Sequence, residues 1–313
     1  MVCVQTSCMK DELPVPAHEA GDVLTASVDM ETNYKWQIYY SLRDNKVVSQ
    51  NLKTDWDLGF EANPEGYRVV LNTSKAMFVR KLETTSLTAT ADTNGFEENK
   101  RWDESSGNLD STAIGDWRQG NIYIIDRGSN EKGKHQGWVK LQILSVDDKQ
   151  YTVSFGPLNS ENISTVNVPK DDAYNMAFLS FDEGGKVVSV EPPKADWDVV
   201  FTQYTYIFYE EVPVTPYLVT GCLLNRYNTK GLMTRDTTFE AIDLDFALGK
   251  TLSTNYDAIG YEWKSFNGAT YTVYPEMNYL IETQDGNYFK LHFIDFFNSG
   301  GAKGYPKWEY QLL

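Results

Sequence analysis

Histidine, cysteine and basic charge are all scarce in this chain, and each scarcity removes a class of function. Three cysteines, Cys3, Cys8 and Cys222, occur in 313 residues. They form neither a disulfide framework nor a zinc-binding spacing. Lys and Arg total 28 against 44 Asp and Glu, for a net charge of -16. A surface this acidic repels phosphate backbones, so nucleic acid is excluded as a natural partner. No stretch approaches the roughly 18 apolar residues of a membrane helix, so no segment reads as spanning a bilayer. Nucleophile elbows, metal-ligand clusters, phosphate-binding glycine loops and EF-hand loops are missing as well. Acidic residues could still serve acid–base work or bind calcium in turns, but abundance is not a constellation. The chain reads as a non-enzymatic protein.

Aromatic residues are abundant: 20 Tyr, 15 Phe and 8 Trp make up 14% of the chain. Ring and branched side chains pack well on a pleated surface, so this is strand chemistry. Hydrophobic residues at 41% and charged residues at 23% exclude a disordered chain. The length suits two domains, since single cores rarely grow past ~250–300 residues.

The sequence repeats itself. Lys46-Val47-Val48-Ser49 recurs as Lys186-Val187-Val188-Ser189, and Lys53-Thr54-Asp55-Trp56-Asp57-Leu58-Gly59-Phe60 as Lys194-Ala195-Asp196-Trp197-Asp198-Val199-Val200-Phe201. Val69-Val70-Leu71-Asn72 is echoed by Cys222-Leu223-Leu224-Asn225. Asn121–Ile125 before Trp138–Leu141 is echoed by Asn278–Ile281 before Tyr288–Leu291. The preserved order of four landmarks predicts two related units, 25–160 and 172–313, joined by a polar segment near 159–173. Phe289, Leu291 and Phe293 alternate with Lys290 and His292, the period of a half-buried strand. Turn signals Asp44-Asn45, Gly184-Gly185, Asn267-Gly268 and Asp285-Gly286 punctuate the runs, the last as a two-residue hairpin signal. Short helical pieces are expected only around 74–82 and 239–248. The expected fold is all-β, two tandem antiparallel sandwich-like domains. In each Asp-Trp-Asp motif the Trp and Phe are expected to anchor a strand in the core, with the acids at its mouth.

The start of the chain, Val4-Gln5-Thr6-Ser7-Cys8 followed by Met9-Lys10-Asp11-Glu12 and Leu13-Pro14-Val15-Pro16, resembles the cleavage site of a bacterial lipoprotein. In that reading Cys8 is the lipidated residue and Lys-Asp-Glu an outer-surface signal. Residues 1–24 would then be a signal remnant and tether, and a full signal would require apolar residues upstream.

The Lys-x-Asp-Trp-Asp-x-x-Phe strand resembles the opening signature of the HmuY family. Asp285-Gly286-Asn287-Tyr288-Phe289-Lys290-Leu291 and the final Gly304–Tyr310 strand resemble its closing hairpin. The likeness covers 175–313 well and is weaker over 34–158, where the hairpin reads Asp126-Arg127-Gly128. It implies HmuY-type β domains and a lipid anchor on the outer-membrane surface. It also implies capture of haem, or a related tetrapyrrole, for a TonB-dependent transporter.

Haem iron takes His, Met, Cys or Tyr. His18 lies in the tether, His135 in the first unit and His292 on the polar face of a strand in the second. No unit holds two, which excludes a bis-histidine site within one unit. Since the family also uses methionine, Met233 and Met277 are the candidate ligands, with Lys230 and Arg235 as propionate partners. Methionine is equally a gap-filler in cores. The competing expectation is a surface module for a glycan or an outer-membrane protein that has lost haem binding.

Overall fold

The computed structural model describes residues 20–313 except 85 and 160. The proposed lipidation site Cys8, together with Cys3 and His18, lies outside the described residues. The chain is almost entirely β, as its aromatic and alternating runs predict. In order, the strands are β1 (Leu24–Ser27), β2 (Trp36–Ser41), β3 (Lys46–Leu52), β4 (Leu58–Glu61), β5 (Val69–Leu71), β6 (Phe78–Leu82), β7 (Ile122–Asp126), β8 (Trp138–Val146), β9 (Gln150–Gly156) and β10 (Ser164–Pro169). They continue as β11 (Met176–Ser180), β12 (Lys186–Val188), β13 (Val199–Phe208), β14 (Thr215–Leu224), β15 (Lys230–Thr234), β16 (Lys264–Phe266), β17 (Tyr271–Val273), β18 (Asn278–Glu282), β19 (Tyr288–Phe297) and β20 (Lys303–Leu312).

Four antiparallel sheets stack in layers. The first has the order β10-β9-β8-β7-β6, the second β12-β11-β4-β5, the third β14-β13-β2-β3 and the fourth β1-β20-β19-β18-β15; β16 and β17 form a separate ribbon. Alternation along each inner strand feeds two cores at once. Leu58, Phe60, Val69 and Leu179 face the first sheet, whereas Val70 and Phe178 meet Tyr39, Val200 and Leu223 of the third. Ile38, Tyr40, Val199 and Phe201 turn the other way, onto Tyr279, Phe293 and Trp308 of the fourth.

The hydrogen-bonded sheets cut across the 25–160 and 172–313 spans. β2 pairs with β13, β1 with β20, and β11 with β4. Strands β4 to β12 make one continuous sandwich, and β1–β3 with β13–β20 make the other. Residues 164–169, in the segment expected to join the units, form edge strand β10 on β9.

The repeated motif makes the crossing. Asn72 Nδ2 donates to the carbonyls of Lys53 and Trp56, both at 2.8 Å. Asn225 Nδ2 does the same to Lys194 and Trp197, both at 2.7 Å. The second Asp of each motif accepts a backbone N–H from the neighbouring hairpin: Asp57 from Phe181 and Asp198 from Leu42, each at 2.7 Å. Only the first acids, Asp55 and Asp196, sit at the mouth of the strand; Asp57 and Asp198 are buried. The phenylalanines lie in the two sandwich cores, as expected, but Trp56 and Trp197 pack between the sandwiches.

The two buried acids are compensated differently. Lys75 Nζ lies 2.5 Å and Arg127 Nη2 2.9 Å from Asp57. Burial works to raise this carboxyl, but the two cations hold it below the usual range. Asn228 and Thr283 stand at the matching positions of the second copy. There burial dominates, and the Asp198 carboxyl is raised to about 6.

Lys140 and Lys290, also repeat partners, pin the loops that enter each sandwich. Lys140 Nζ donates to Ala89 O at 2.7 Å, and Lys290 Nζ to Phe239 O and Ile242 O, both at 2.8 Å. Two local expectations change. Residues 74–82 hold one 3-10 turn at Thr73–Lys75 and then strand β6, because Asn72 caps the turn and Ala76 ends it in the left-handed region at φ 55°. Around 239–248 the short helical pieces are present as expected, as turns at Phe239–Ala241 and Leu244–Leu248. The Asp285-Gly286 turn does join β18 to β19, with Thr283 N donating to Asn287 O at 2.9 Å, so the reversal spans three residues rather than two.

Asp57→Asn leaves the buried Lys75 uncompensated, while Arg127 keeps Asp182 at 2.8 Å, and should cost about 3–5 kcal/mol in urea unfolding at neutral pH. Asp198→Asn should behave oppositely. Because the folded-state pKa of Asp198 is raised, its protonated form favours folding at low pH, and that contribution is lost as pH rises through about 6. The wild-type loss of stability between pH 4 and pH 7 should therefore shrink in Asp198→Asn. An unchanged pH profile would exclude this role.

Candidate functional site

β13 and β14 run ten residues each, but β2 pairs only with Val199–Phe201. Beyond that pairing the Thr73–Lys75 turn covers β13, with Thr205 Oγ1 donating to Thr73 O at 2.8 Å, and the segment 253–262 runs along the other edge of the hairpin, at β14. Cys222 N and Gly260 O are 3.0 Å apart and Gly260 N and Cys222 O 2.9 Å; Gly231 and Ser253 exchange a similar pair at 2.9 Å. This close approach depends on glycine. A Cβ on Gly221 would lie 2.4 Å from Gly260 O, and Gly260 itself has φ +69°.

Between the segment and the hairpin lies an open cavity of about 240 Å³ lined by Tyr204, Tyr206, Met233, Asp257, Tyr261 and Tyr279 among others. Met233 sits on β15 opposite Tyr279 of β18, with 38% of its surface exposed. The Tyr206 and Tyr261 rings meet edge-on at 5.1 Å. The buried hydroxyls of Tyr204 and Tyr279 have no hydrogen-bond partner among the described residues. Burial raises both phenols well above their ordinary pKa. Asp257 accepts from Ser105 Oγ at 2.5 Å, which ties the cavity wall to the other sandwich.

Of the residues singled out in the sequence, the structure brings Met233 to this cavity, while Arg235 lies outside its lining. Arg235, exposed just beyond β15, acts electrostatically on Tyr279 and opposes the rise of its pKa. Met277 is 2% exposed and packs in the core between the third and fourth sheets, because its side chain falls on the inner face of its segment. Lys230 Nζ is held 2.9 Å from Glu282 across the β15–β18 pair, away from the cavity lining. His292 is half-buried. Its Nδ1 lies 2.9 Å from Pro275 O and its Nε2 3.2 Å from Glu309, with its ring stacked on Phe239 at 4.2 Å. His135 pairs with Asp126 at 2.7 Å in its loop. The sequence reading missed the tyrosines. Tyr204-Thr205-Tyr206 places two phenols on one face of a strand, a period-2 signal visible in the sequence.

A model of the HmuY protein family matches residues 33–310, across both sandwiches. The chain belongs to the HmuY family. Among solved structures, apo PinO from Porphyromonas gingivitis is 12% identical over 93% of this chain and 97% of its own, with a TM-score of 0.35. The apo HmuY analog TFO from Tannerella forsythia is 9% identical over 94% and 98%, also with a TM-score of 0.35. A protein assigned as an HmuY-like heme binding protein from Bacteroides vulgatus is 13% identical over 92% and 90%, with a TM-score of 0.21. No curated protein matches this HmuY-family chain in sequence.

The unpartnered phenols give a direct test of the cavity. A buried hydroxyl without a partner costs about 1–3 kcal/mol, so its removal should not destabilise. Tyr204→Phe and Tyr279→Phe should be neutral or stabilising in urea unfolding. Tyr151→Phe, which removes a 3.0 Å bond to Glu61 O, should cost about 1 kcal/mol. Equal losses in all three would show that the cavity phenols are partnered in solution.

Proposed function

We propose that this HmuY-family protein binds haem or a related tetrapyrrole, without catalysing a reaction, at the cavity headed by Met233. The observation that carries the reading is an exposed thioether beside two buried, unpartnered phenols. Thioether and phenol are both haem-iron donors. Met233 with Tyr204 or Tyr279 would hold the metal side of the group, and the Tyr206–Tyr261 pair supplies an aromatic wall. Arg235 would meet a propionate as a charged hydrogen-bond donor. Met277 and Lys230 fall outside this arrangement, being a core side chain and half of an ion pair. At about 240 Å³ the cavity is smaller than the roughly 300–1,000 Å³ of enclosed ligand pockets. It therefore offers a donor-bearing seat at the surface rather than an enclosure. A bound haem would supply iron and its ligand chemistry as cargo for uptake.

Family membership also supports a surface lipoprotein anchored through Cys8 at the outer membrane, with a TonB-dependent transporter as recipient. No helix among the described residues is long and apolar enough to cross a membrane. The second reading, a protein-binding surface module, is favoured by the tip of the β13–β14 hairpin, where Tyr209, Val212, Val214 and Tyr217 are exposed together.

Haemin titration decides between them. Wild type should give a saturable, shifted Soret band that Met233→Ala weakens at least about tenfold, the loss of one ligand-scale interaction of 1.4 kcal/mol or more. Met277→Ala should lower stability by about 2–5 kcal/mol yet keep the band. No saturable band in wild type, or an unchanged band in Met233→Ala, would sink the proposed site.

A further inference from the structure

The packing between the second and third sheets is incomplete. An enclosed chamber of about 60 Å³ lies there, walled by Tyr39, Trp56, Trp197 and Tyr204 and by the polar side chains of Gln37 and Thr202. The Trp197 Nε1–H and the Tyr204 hydroxyl, both buried, have no partner among the described residues. The repeat shows why. Trp56 Nε1 donates to Gln37 Oε1 at 2.9 Å. In the register of the second copy Met176, paired with Glu61, stands where Gln37 would pair with Thr202. A thioether is a weak acceptor, so the second indole is left with an unanswered donor.

The chamber adjoins an open cleft of about 720 Å³ between the two sandwiches, lined by Glu61, Arg68, Asn108, Asp110, Arg226 and Asn255 among others. Arg226, Tyr256, Gly107 and Asn108 line both spaces and form the partition between them. The Arg226 guanidinium lies over the Tyr256 ring at 4.1 Å, and its Nη1 donates to Gly107 O at 2.6 Å. Among the described residues it makes no ion pair within 4.0 Å.

The chemistry of the lining narrows the ligand. Arg68 and Arg226 are offset by Glu61 and Asp110 in the cleft and by Asp103, Glu104 and Glu191 around the chamber, so an anion gains nothing from the local charge. Neither lining includes histidine or cysteine, so soft-metal chemistry is not served. What remains is a set of close donors and acceptors beside aromatic walls, in a cleft within the usual size range of ligand sites. That combination suits a neutral polyhydroxylated molecule, whose neighbouring hydroxyls each donate and accept.

We propose that cleft and chamber together form a carbohydrate site, centred on Arg226 and bordering the Met233 cavity at Tyr204 and Asn255. A sugar ring occupies the cleft against Arg226 and Asn255, and a hydroxyl or hydroxymethyl group enters the chamber to accept from Trp197 Nε1–H. The Arg226 side chain turns aside to admit it and gives its guanidinium donors to the ring hydroxyls.

The test is saturation-transfer NMR and calorimetry of the full chain with D-glucose, D-galactose, D-mannose, N-acetyl-D-glucosamine and lactose. At least one should bind saturably. Arg226→Ala should weaken that binding about tenfold or more, as expected for one charged hydrogen bond. Trp197→Phe, which keeps a ring but removes the N–H, should weaken it several-fold. The exposed edge-strand variant Lys186→Ala should leave it unchanged. Asn255→Ala replaces Arg226→Ala if the latter does not fold. Failure of all five sugars to bind wild type, or binding unaltered by Arg226→Ala and Asn255→Ala, overturns the proposal.

Discussion

Two buried carboxylates, Asp57 and Asp198, determine how the rest of the chain is arranged. Each accepts a backbone N–H from a hairpin that lies about 120 to 160 residues away in sequence, Phe181 for one and Leu42 for the other. A carboxylate taken from water costs several kcal/mol unless it is answered, so this bond must form where the strands cross. Asn72 and Asn225, answering two carbonyls each, fix the approach of the same strands from the other side. Once those crossings are set, the second and third sheets must face each other. Trp56 and Trp197 then fill the space between the sandwiches, and the Met233 cavity and the polar cleft form beside it.

Much of this was legible in the sequence because the repeat copies its hydrogen-bonding residues as well as its apolar ones. Lys-x-Asp-Trp-Asp-x-x-Phe and the later Asn recur because they serve the same crossing twice. What the repeat could not show was which copy of a hairpin completes which sheet. Leu42 and Phe181 are interchangeable as backbone donors, and the exchange is decided by tertiary packing. The site was less legible for a related reason. Met233 and Met277 look equivalent in a list of thioethers. Their opposite exposures follow from one strand lying at a sheet edge and the other segment entering the core between two sheets. The tyrosines escaped notice because 20 of them are spread along the chain, and only the fold gathers Tyr204, Tyr206, Tyr261 and Tyr279.

The departures from the repeat mark where function can reside. The first copy spends Lys75 and Arg127 on Asp57, whereas the second leaves Asp198 with backbone and burial alone. The first copy answers its tryptophan with Gln37, and the second leaves Trp197 open. Both relaxations fall in the half that also carries Met233 and the unpartnered phenols. The less satisfied copy holds the groups on which the proposed sites rest.

The pairing of β1 with β20 and of β2 with β13 sets a schedule for synthesis. Residues 24–52 emerge from the ribosome before the other strands, yet beyond the β2–β3 hairpin their hydrogen-bonding partners lie at 199–201 and 307–310. Strands β4 to β12 can close their own sandwich during that interval, while the earliest hairpin waits with unpaired edges. Long-range pairing of this kind is slow and exposes strand edges to other chains. A ribosome-bound intermediate would therefore present a finished β4–β12 sandwich and an open β2–β3 hairpin, and β20 would later complete the sheet that β1 joins.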